Sequence, residues 1–529
     1  MREGASTSAG NSGSDGGTEQ SRERLLAVWK VVESRRRTGY TSIVVPSLSF
    51  DRDELAKIQG VSFYEERLLF TLIRLRDPRA RVVYVTSQPI HPEIIEYYLD
   101  LLRGVSTRDA RARLDLLPLY DASAVPLTRK ILDRPRVVAR LRGLARQTRH
   151  AYLTCFNSSA LEAQLASELD IPLNGVAPEL LWMGTKSGSR KVFAQAGLDM
   201  ASGFEDLQSR REVVEALGEL ATVAPGTRKA VIKLNESFAG AGNAVFHYPR
   251  PAGGTLSAAQ LDAALEQLEW TSANETTGTY FAKLESMGGI VEEFIEGNDV
   301  RSPSAQLRIE PTGDIELIST HDQILGGPTG QTYLGCKFPA SASYREQIGA
   351  LGIKVGEVLR DHGVVSRFGV DFLALRGASG DWRFPAIEIN LRMGGTTGPF
   401  LALQFLTAGK LDRGSGLFSS ARGGEKYYVA TDNLNSAAYR GLLAEDFIDI
   451  LAANSIGFDS ATETGAVFHM IGALSQFGKL GVTAIGNSLA EADSTYRRVV
   501  EVFDRAGSQR PGVAGRSPHP FDITLRSIE

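Results

Sequence analysis

Two strand-forming runs that flank a tight turn constrain this chain more than any other feature. Residues 366–392 read SRFGVDFLAL, then a turn-forming segment Gly377–Asp381, then RFPAIEINLR. This arrangement predicts a β-hairpin. If the turn is centred on Ser379–Gly380, Asp371 lies directly opposite Glu388 on the neighbouring strand.

The predicted hairpin gathers oxygen ligands on one face. Side chains alternate between the faces of a strand, so Glu388, Asn390 and Arg392 share a face. Facing carboxylates repel unless something compensates, and Asp371 faces Glu388. A hard cation such as Mg²⁺, which takes oxygen ligands and is usually shared with nucleotide phosphates, is the natural compensation. The alternative is an exposed hairpin with solvated acids.

A second segment, Val231–Val245, reads as a strand, a loop of small residues and another strand. Glycines let backbone N–H groups approach an anion closely, and Lys233 lies just before the loop, where it can reach a phosphate. A hairpin with a glycine bulge is the alternative. The sequence has no G-x-x-x-x-G-K-[ST] loop and no H-R-D or D-F-G kinase motif, so nucleotide binding needs another architecture.

A third segment, Gly289–Asp299, reads as a buried strand that runs into an acidic turn. Backbone groups over Glu292–Ile295 are suited to the adenine edge, and the carboxylate of Asp299 is suited to ribose hydroxyls. The alternative is a strand that leads into an exposed acidic loop.

The length of 529 residues predicts several domains. Residues 1–20 are rich in Gly and Ser and predict a disordered tail, whereas residues 21–174 alternate strand-like and helical runs, as in a parallel α/β domain. The strand-like runs are Ile43–Val45, Val82–Thr86 and Tyr152–Cys155, and the helical runs include Pro92–Arg103 and Ser159–Leu169. Residues 175–410 change to glycine-interrupted strands, 426–510 to shorter mixed segments, and 511–529 form a tail. The predicted fold class is α/β (α+β).

Composition excludes several classes of protein. Lys+Arg 58 against Asp+Glu 62 gives no support for a nucleic-acid partner, and two cysteines cannot build a disulfide framework or a Cys-rich zinc site. The arginine-rich segment Arg134–His150 is either a phosphate-binding stretch or, as the missing aromatics favour, a solvated helix face. Apolar runs are too short for a membrane span and no signal-peptide core is present, so a cytoplasmic protein without a membrane partner is expected.

Together and in this order, these segments resemble the ATP-grasp ligases. The resemblance begins at Trp182–Leu198, which is similar to the leading helix of that family and implies a phosphate contact for Lys186. It implies that Lys233 is the second phosphate lysine and that Ser237–Asn243 is the flexible loop over the triphosphate. The implied nucleotide-binding residues are Lys186, Lys233, Ser237, Gly240, Gly242, Glu292, Glu293, Phe294, Ile295 and Asp299.

The same resemblance implies the rest of the site and the architecture. Asp371, Glu388 and Asn390 match the metal-binding D…E-x-N set, with Mg²⁺ as the ion and Mn²⁺ as an alternative, and Arg392 matches the arginine that follows. Arg392, Lys233 and His321 are the expected catalytic residues. The fold implied is a pre-ATP-grasp α/β domain, an ATP-grasp domain and a small C-terminal domain.

Further motifs resemble the pheganomycin-type peptide ligases. They are His321–Gln323, Gly330–Cys336, Gly394–Pro399, Gly465–Leu474 and Phe477–Gly481. That group often carries a histidine where this chain has Gly398, which implies an altered substrate fit. His321 has two readings, one in which it orients a substrate and one in which it is a structural histidine, whereas His469 lies in an apolar run typical of a core position.

Membership of this family implies an ATP- and Mg²⁺-dependent carboxylate–amine ligase that works through an acyl phosphate, in peptide natural-product biosynthesis. Its partners would be a small-molecule carboxylate and an amine or peptide, and a homodimer is expected. One alternative is a nucleotide sensor or scaffold that binds ATP without turnover. Another is a different ATP-grasp outcome, such as carboxylation or transfer to a phosphate.

Overall fold

The computed structural model describes residues 15–34, 37–50, 55, 58–236, 242–249, 256–272, 275–326, 330 and 332–508. The α-helices are α1 Asp15–Glu33, α2 Pro92–Asp100, α3 Thr107–Arg111, α4 Leu127–Leu132, α5 Pro135–Ala145, α6 Ala160–Leu169, α7 Lys186–Gln195, α8 Arg210–Val223, α9 Ala258–Ala264, α10 Thr277–Met287, α11 Arg345–Asp361, α12 Thr397–Thr407, α13 Ala444–Asn454, α14 Ala473–Phe477 and α15 Leu489–Ser508. Tighter 3₁₀ segments are Val61–Arg76, Pro178–Gly184, Leu265–Gln267 and Ala437–Tyr439.

The N-terminal part is a parallel α/β layer. Its strands are β1 Tyr40–Val45, β2 Ala80–Thr86, β3 Leu114–Pro118, β4 His150–Cys155 and β5 Leu173–Asn174. They are ordered β3-β2-β1-β4-β5, and every pairing is parallel. The predicted parallel α/β arrangement is therefore confirmed for this region, with all three predicted strands in place.

Two details of this region differ from the sequence prediction. Strand β3 was not predicted, because its residues are mostly half-buried at a sheet edge and give a weak apolar signal. Helix α1 begins at Asp15, inside the segment 1–20 that was predicted to be a disordered tail; that prediction is wrong for residues 15–20. The helix is held by Leu25 and Val28, which are buried, and its backbone continues beyond them toward the N-terminus.

A second sheet is antiparallel and five-stranded. Its strands are β6 Gly203–Leu207, β7 Lys229–Leu234, β8 Asn243–His247, β9 Glu269–Trp270 and β10 Gly289–Glu293. They are ordered β6-β10-β7-β8-β9, with β10 and β7 side by side in the middle. Helices α8 and α10 cover this sheet through buried leucines and aromatic side chains, including Leu217 and Tyr280.

A third sheet is antiparallel and eight-stranded. The remaining strands are β11 Val300–Arg301, β12 Pro303–Ile309, β13 Ile315–Gly326, β14 Thr332–Phe338, β15 Ser366–Phe372, β16 Ala374–Arg376, β17 Trp382–Arg383, β18 Ala386–Asn390, β19 Lys410–Leu411, β20 Phe418–Ser419, β21 Tyr427–Asn435, β22 Gly465–His469 and β23 Lys479–Gly486. The large sheet is ordered β18-β15-β12-β13-β14-β21-β23-β22. It crosses the boundary predicted between residues 410 and 426, and the predicted domain division stays a prediction.

The predicted hairpin forms, and its register is informative. Asp371 pairs with Glu388, and Gly369 pairs with Asn390, so the predicted pairing is confirmed. Nearer the turn the register shifts by one residue at a bulge beside Ile387. Next to the turn, each residue of the first strand pairs with a residue one position earlier on the second strand than predicted, as Leu375 does with Arg383. The bulge adds one residue to the second strand and so restores the predicted pairing of Asp371 with Glu388.

The C-terminal segment returns to the N-terminal part of the molecule. Phe447, Phe468 and Phe503 share one core with Leu69 and Leu72 of the segment Val61–Arg76. Burying such a side chain fully contributes about 2 kcal/mol, so this core is a substantial attachment. The backbone N–H of Gly472 also donates to the Glu66 carboxylate, at 3.0 Å. Strands β21 to β23 are thereby fixed against Val61–Arg76.

Candidate active site

A cavity of about 1550 Å³ lies where the five-stranded sheet, the eight-stranded sheet and the N-terminal layer meet. Most of the predicted site residues line it. Those that do are Lys186, Lys233, Glu292, Glu293, Phe294, Ile295, Asp299, Asp371, Glu388, Asn390 and Arg392. Among the predicted residues within the described ranges, His321 and Gly242 are outside the lining. Ser237 and Gly240 lie outside the described residues.

The hairpin acids are held by amide groups. The side-chain nitrogen of Asn390 donates to Asp371 at 3.1 Å and to Glu388 at 2.8 Å. Gln323 of β13 donates to the other oxygen of Asp371 at 2.8 Å. These hydrogen bonds fix both carboxylates on the cavity side of the hairpin.

The two carboxyl groups are electrostatically unequal. Burial raises the pKa of Asp371, and the facing charge of Glu388 raises it further. Burial acts in the same direction on Glu388, but the charge of Lys186 outweighs it and holds the pKa of Glu388 below its ordinary value. The pair therefore favours one negative charge, on Glu388, when Lys186 is its partner.

Both lysines of the site are buried and paired with acids. Lys186 bonds to Glu388, and Lys233 bonds to Glu292. Glu292 is only 6% exposed and also faces Arg190, at 3.4 Å. Its carboxylate therefore positions Lys233, and it is the backbone around Glu292 that is left to contact a nucleotide.

Helix α7 joins the two sheets at the lysines. Thr185 caps the helix by accepting from the Gly188 N–H at 3.0 Å, and the Lys186 N–H donates to the carbonyl of Asn235 at the end of β7. The Ser189 hydroxyl accepts from the Ile389 N–H on β18, at 3.0 Å. A Cβ at Gly188 would come within 1.8 Å of the Trp182 carbonyl, so glycine is required there.

The segment after β10 forms the wall predicted for adenosine. The N–H groups of Glu293 and Phe294 already donate to backbone carbonyls, at 2.8 Å and 3.1 Å. The backbone beyond Phe294 is therefore the better candidate for adenine recognition. Asp299 lies farther along the wall, where it bonds to Arg301 at 3.0 Å.

His321 does not reach the cavity. It shares a face of the sheet with Asp371, because both residues pair with Ser304, but it is fully buried and pairs with the Tyr428 hydroxyl at 2.6 Å. Burial lowers its pKa to about 3. Its neighbour Asp322 lines the cavity instead. This position favours the second reading of His321, a structural histidine, because the rings of Phe338 and Tyr428 pack against it.

Sequence reasoning did not assign a role to several residues at the opposite end of the cavity. These are Tyr64, Arg67, Phe156, Asp432 and Lys479. They come from widely separated segments and form no local motif. Asp432 and His469 bond to each other at 2.8 Å, so His469 has a charged partner as well as apolar neighbours.

The acid set fits Mg²⁺ in its chemistry. Two carboxylates and one amide oxygen are hard ligands, and Mg²⁺ typically takes few protein ligands and completes its shell with phosphates and water. In the described part of the chain no three His, Cys, Asp or Glu side chains form a metal cluster, so a site built wholly from protein ligands is not seen there. An amide reversal would turn the oxygen of Asn390 toward the carboxylates.

Two family models match the sequence. One, described as "IQCH-like, ATP-grasp", matches residues 180–250 and 257–414. The other, described as "PGM1 C-terminal domain", matches residues 446–499. The first match spans the acid hairpin and both site lysines. The predicted ATP-grasp fold is therefore confirmed.

Solved structures agree with this fold. The ADP complex of an N5-carboxyaminoimidazole ribonucleotide synthetase is 12% identical, with a TM-score of 0.50, over 88% of this chain and 97% of that one. A biotin carboxylase–β-γ-ATP complex from Campylobacter jejuni is 11% identical, with a TM-score of 0.52, over 90% of this chain and 97% of that one. At these identities the likeness shows the fold alone.

Two curated proteins extend the comparison beyond the ATP-grasp domain. An L-propargylglycine–L-glutamate ligase from Streptantibioticus cattleyicolor is 29% identical over 476 residues, which cover 88% of this chain and 94% of that protein. The IQ motif-containing protein H of Danio rerio is 24% identical over 96% of this chain, which spans 52% of that longer protein. The resemblance to ATP-grasp ligases of the peptide-ligase type is thereby confirmed.

Proposed function

We propose that this ATP-grasp protein is an ATP- and Mg²⁺-dependent carboxylate–amine ligase that forms a peptide-type amide bond. The observation that carries the proposal is the meeting of Asp371, Glu388 and Asn390 with Lys186 and Arg392 in one cavity. A metal-binding acid set with adjoining cations is what phosphoryl transfer requires, since that chemistry depends on position and charge compensation.

The relative named as a ligase of two amino acids supports amino acids or short peptides as substrates. The same relative aligns over 94% of its own length and 88% of this chain, which is more than the ATP-grasp match alone. A role in peptide natural-product biosynthesis follows as part of the proposal. Small-molecule substrates, a cytoplasmic setting and a homodimer complete it.

The proposed reaction has two steps. A substrate carboxylate attacks the terminal phosphorus of ATP, which gives ADP and an acyl phosphate. An amine then attacks the acyl carbon, inorganic phosphate leaves, and the nitrogen loses a proton as the amide forms. The amide product has the combined mass of the acid and the amine less one water, and the conversion of ATP to ADP and phosphate drives the condensation.

The chain's own residues supply position and charge. Mg²⁺, when bound, would neutralise phosphate oxygens, and Asp371, Glu388 and Asn390 are the residues to hold it. Lys186 and Lys233, which pair with Glu388 and Glu292 in this structure, would offset phosphate charge. Arg392 lines the cavity together with the acids and would hold the reacting carboxylate beside the phosphate.

The test is ADP release by the purified protein with ATP and Mg²⁺ over a panel of amino acids, guanidino acids and short peptides. We expect ADP to appear only when a carboxylate and an amine are both present, with a product lighter by one water than their sum. ATP binding without ADP release across a broad panel would contradict the ligase and favour a nucleotide sensor. No helix in the described ranges is both long and apolar enough to cross a membrane.

A further inference from the structure

A second group of charged side chains lines the cavity at the end away from the adenosine wall. Arg67, Asp432 and Lys479 line the cavity, and His469, which bonds to Asp432, completes this group, which we call the distal cluster. Arg67 comes from the segment Val61–Arg76, and the others come from β21, β22 and β23. The C-terminal segment and the N-terminal layer build it together.

The distal cluster is tightly connected. Arg67 donates through Nη2 to one oxygen of Asp432, and His469 bonds to the other oxygen at 2.8 Å. Lys479 donates to the Tyr64 hydroxyl at 2.8 Å. Both oxygens of Asp432 are therefore engaged, and the acid acts as an anchor for the arginine.

Arg67 keeps one donor without an acceptor. Its Nη1 is buried and has no hydrogen-bond partner in the part of the chain that the structure describes, and the whole side chain is 8% exposed. The guanidinium lies over the ring of Phe156, with its central carbon 4.8 Å from the ring centre, so the side chain is held flat at the cavity wall. A buried charged donor that lacks an acceptor is costly, and a ligand oxygen in the cavity would satisfy it.

The charge at this end of the cavity is in surplus. Within the distal cluster, Arg67 and Lys479 are the cations that line the cavity, whereas Asp432 is the acid. An anion bound beside them would compensate the surplus positive charge and give the unpaired donor of Arg67 an acceptor.

We propose that the distal cluster binds a substrate carboxylate that does not react. This inference rests on the proposed ligase function, because the reacting carboxylate must lie at the metal-binding acids and Arg392. A guanidinium and an ammonium are the groups that recognise a carboxylate, and the fixed plane of Arg67 suits it. Either substrate can supply this carboxylate: the amine substrate as the α-carboxylate of an amino acid, or the acid substrate as the second carboxylate of a dicarboxylic acid.

The test uses substrate pairs that the panel identifies and compares each substrate with its primary amide at the spectator carboxylate. We expect one amide to lose about 10- to 100-fold in kcat/KM in the unaltered protein, the range of a charged hydrogen bond. Loss with the amine's amide assigns the carboxylate to the amine substrate, and loss with the acid's amide assigns it to the acid. The KM for ATP should stay the same.

Two variants link this loss to the distal cluster. Lys479→Gln removes a positive charge but can keep a hydrogen bond to the Tyr64 hydroxyl. Arg67→Lys keeps the positive charge but removes the planar guanidinium and its paired donors. In both variants, replacing the substrate by its primary amide should lower kcat/KM only a few-fold, because the substitution has already removed part of the binding site for the carboxylate. Lys410→Gln, at an exposed position outside the cavity lining, is the matched control and should keep the full penalty.

The inference is overturned if both amides react as well as their parents, or if the penalty is unchanged in Lys479→Gln and Arg67→Lys. Should no pair yield product, the ligase proposal fails separately. Thermal shifts with free amino acids and their amides, in the presence of Mg²⁺ and a non-hydrolysable ATP analogue, then decide the inference. A shift that needs the carboxylate and is lost in Lys479→Gln supports it, and an equal shift with the amide contradicts it.

Discussion

The two ends of the cavity differ in how their buried cations are paired with acids. At the metal-binding end the cations Lys186 and Lys233 are paired with Glu388 and Glu292. At the distal cluster, Arg67 retains a buried donor without an acceptor among the described residues, and Lys479 is a second cation. The first end is neutralised within the protein and must exchange partners to bind metal and phosphate. The second end has positive charge ready for an anion.

The ends also differ in how the chain assembles them. The acids lie on one hairpin, a few residues from the turn that joins its strands. Arg67 and Asp432 are 365 positions apart in the chain. The metal-binding end therefore depends on local register, and the distal cluster depends on the packing of the C-terminal segment against Val61–Arg76.

The largest effect should come from Glu388→Gln at the metal-binding end. The change removes a carboxylate ligand and leaves Lys186 without its acid, while the side-chain shape is preserved. We expect ADP formation to fall by 10³-fold or more, at the upper range for loss of an electrostatic group at a reacting centre. The measurement is ADP release with saturating substrates, with circular dichroism to verify folding.

Asp381→Asn is the matched control for this change. Asp381 is an exposed acid in the turn of the same hairpin, where its carboxylate accepts from Ser379 at 2.8 Å. The control should keep full activity. Equal turnover by Glu388→Gln and the unaltered protein would show that the hairpin acids do not form the metal site.

Lys233→Met should have the next largest effect. The change removes a phosphate-compensating charge and leaves Glu292 with Arg190 as its remaining ionic partner. Activity should fall on the order of 10²-fold, mostly through weaker use of ATP, because a fixed donor to a reacting group is worth about that much. Steady-state kinetics against ATP concentration give the measurement, and Lys354→Met on the exposed side of α11 is the control. An unchanged KM for ATP together with unchanged kcat would contradict the role of Lys233.

The metal-binding end of the cavity could largely be predicted from sequence, whereas the distal cluster could not. The pairing of Asp371 with Glu388 could be predicted because a tight turn fixes which residues of a hairpin face each other. The turn itself has a register one residue off the predicted one, and a bulge beside Ile387 corrects the difference. The role of His321 could not be read from sequence, because it shares a strand face with Gln323, which reaches Asp371, and tertiary packing against Phe338 and Tyr428 buries it. The distal cluster gave no signal, since Arg67 and Asp432 meet only after the C-terminal segment has packed against the N-terminal layer.

The support behind the distal cluster should depend on pH. Glu66 precedes Arg67 and accepts from the Gly472 N–H, and burial raises its pKa to about 7, with the charge of Glu65 adding to the effect. A carboxyl whose pKa is higher in the folded state than in the unfolded one loses stabilising free energy as the pH rises from about 4.5 to 7. That shift corresponds to about 3 kcal/mol at most.

Glu66→Gln should therefore be more stable than the unaltered protein at pH 8, by about 2 kcal/mol, and no more stable at pH 5. Denaturant unfolding at both pH values measures the difference. Glu346→Gln, at an exposed acid in the first turn of α11, is the control and should keep the original pH profile. Parallel pH profiles for Glu66→Gln and the unaltered protein would show that Glu66 is ionised in both states.

The smallest effect should come from Gly398→Ala, at the start of α12. A Cβ there would lie 3.4 Å from the ring of Phe70, which is an ordinary contact, and alanine favours a helix over glycine by up to about 1 kcal/mol. We expect unchanged activity and an equal or slightly higher melting temperature. Gly398→His is the informative partner, because an imidazole would have to displace Phe70 on the segment that carries Arg67. If the histidine variant changes the use of the substrate with the spectator carboxylate and leaves the KM for ATP alone, the small residue at 398 shapes the distal end. If it changes both equally, the two ends are mechanically coupled and the division drawn between them does not hold.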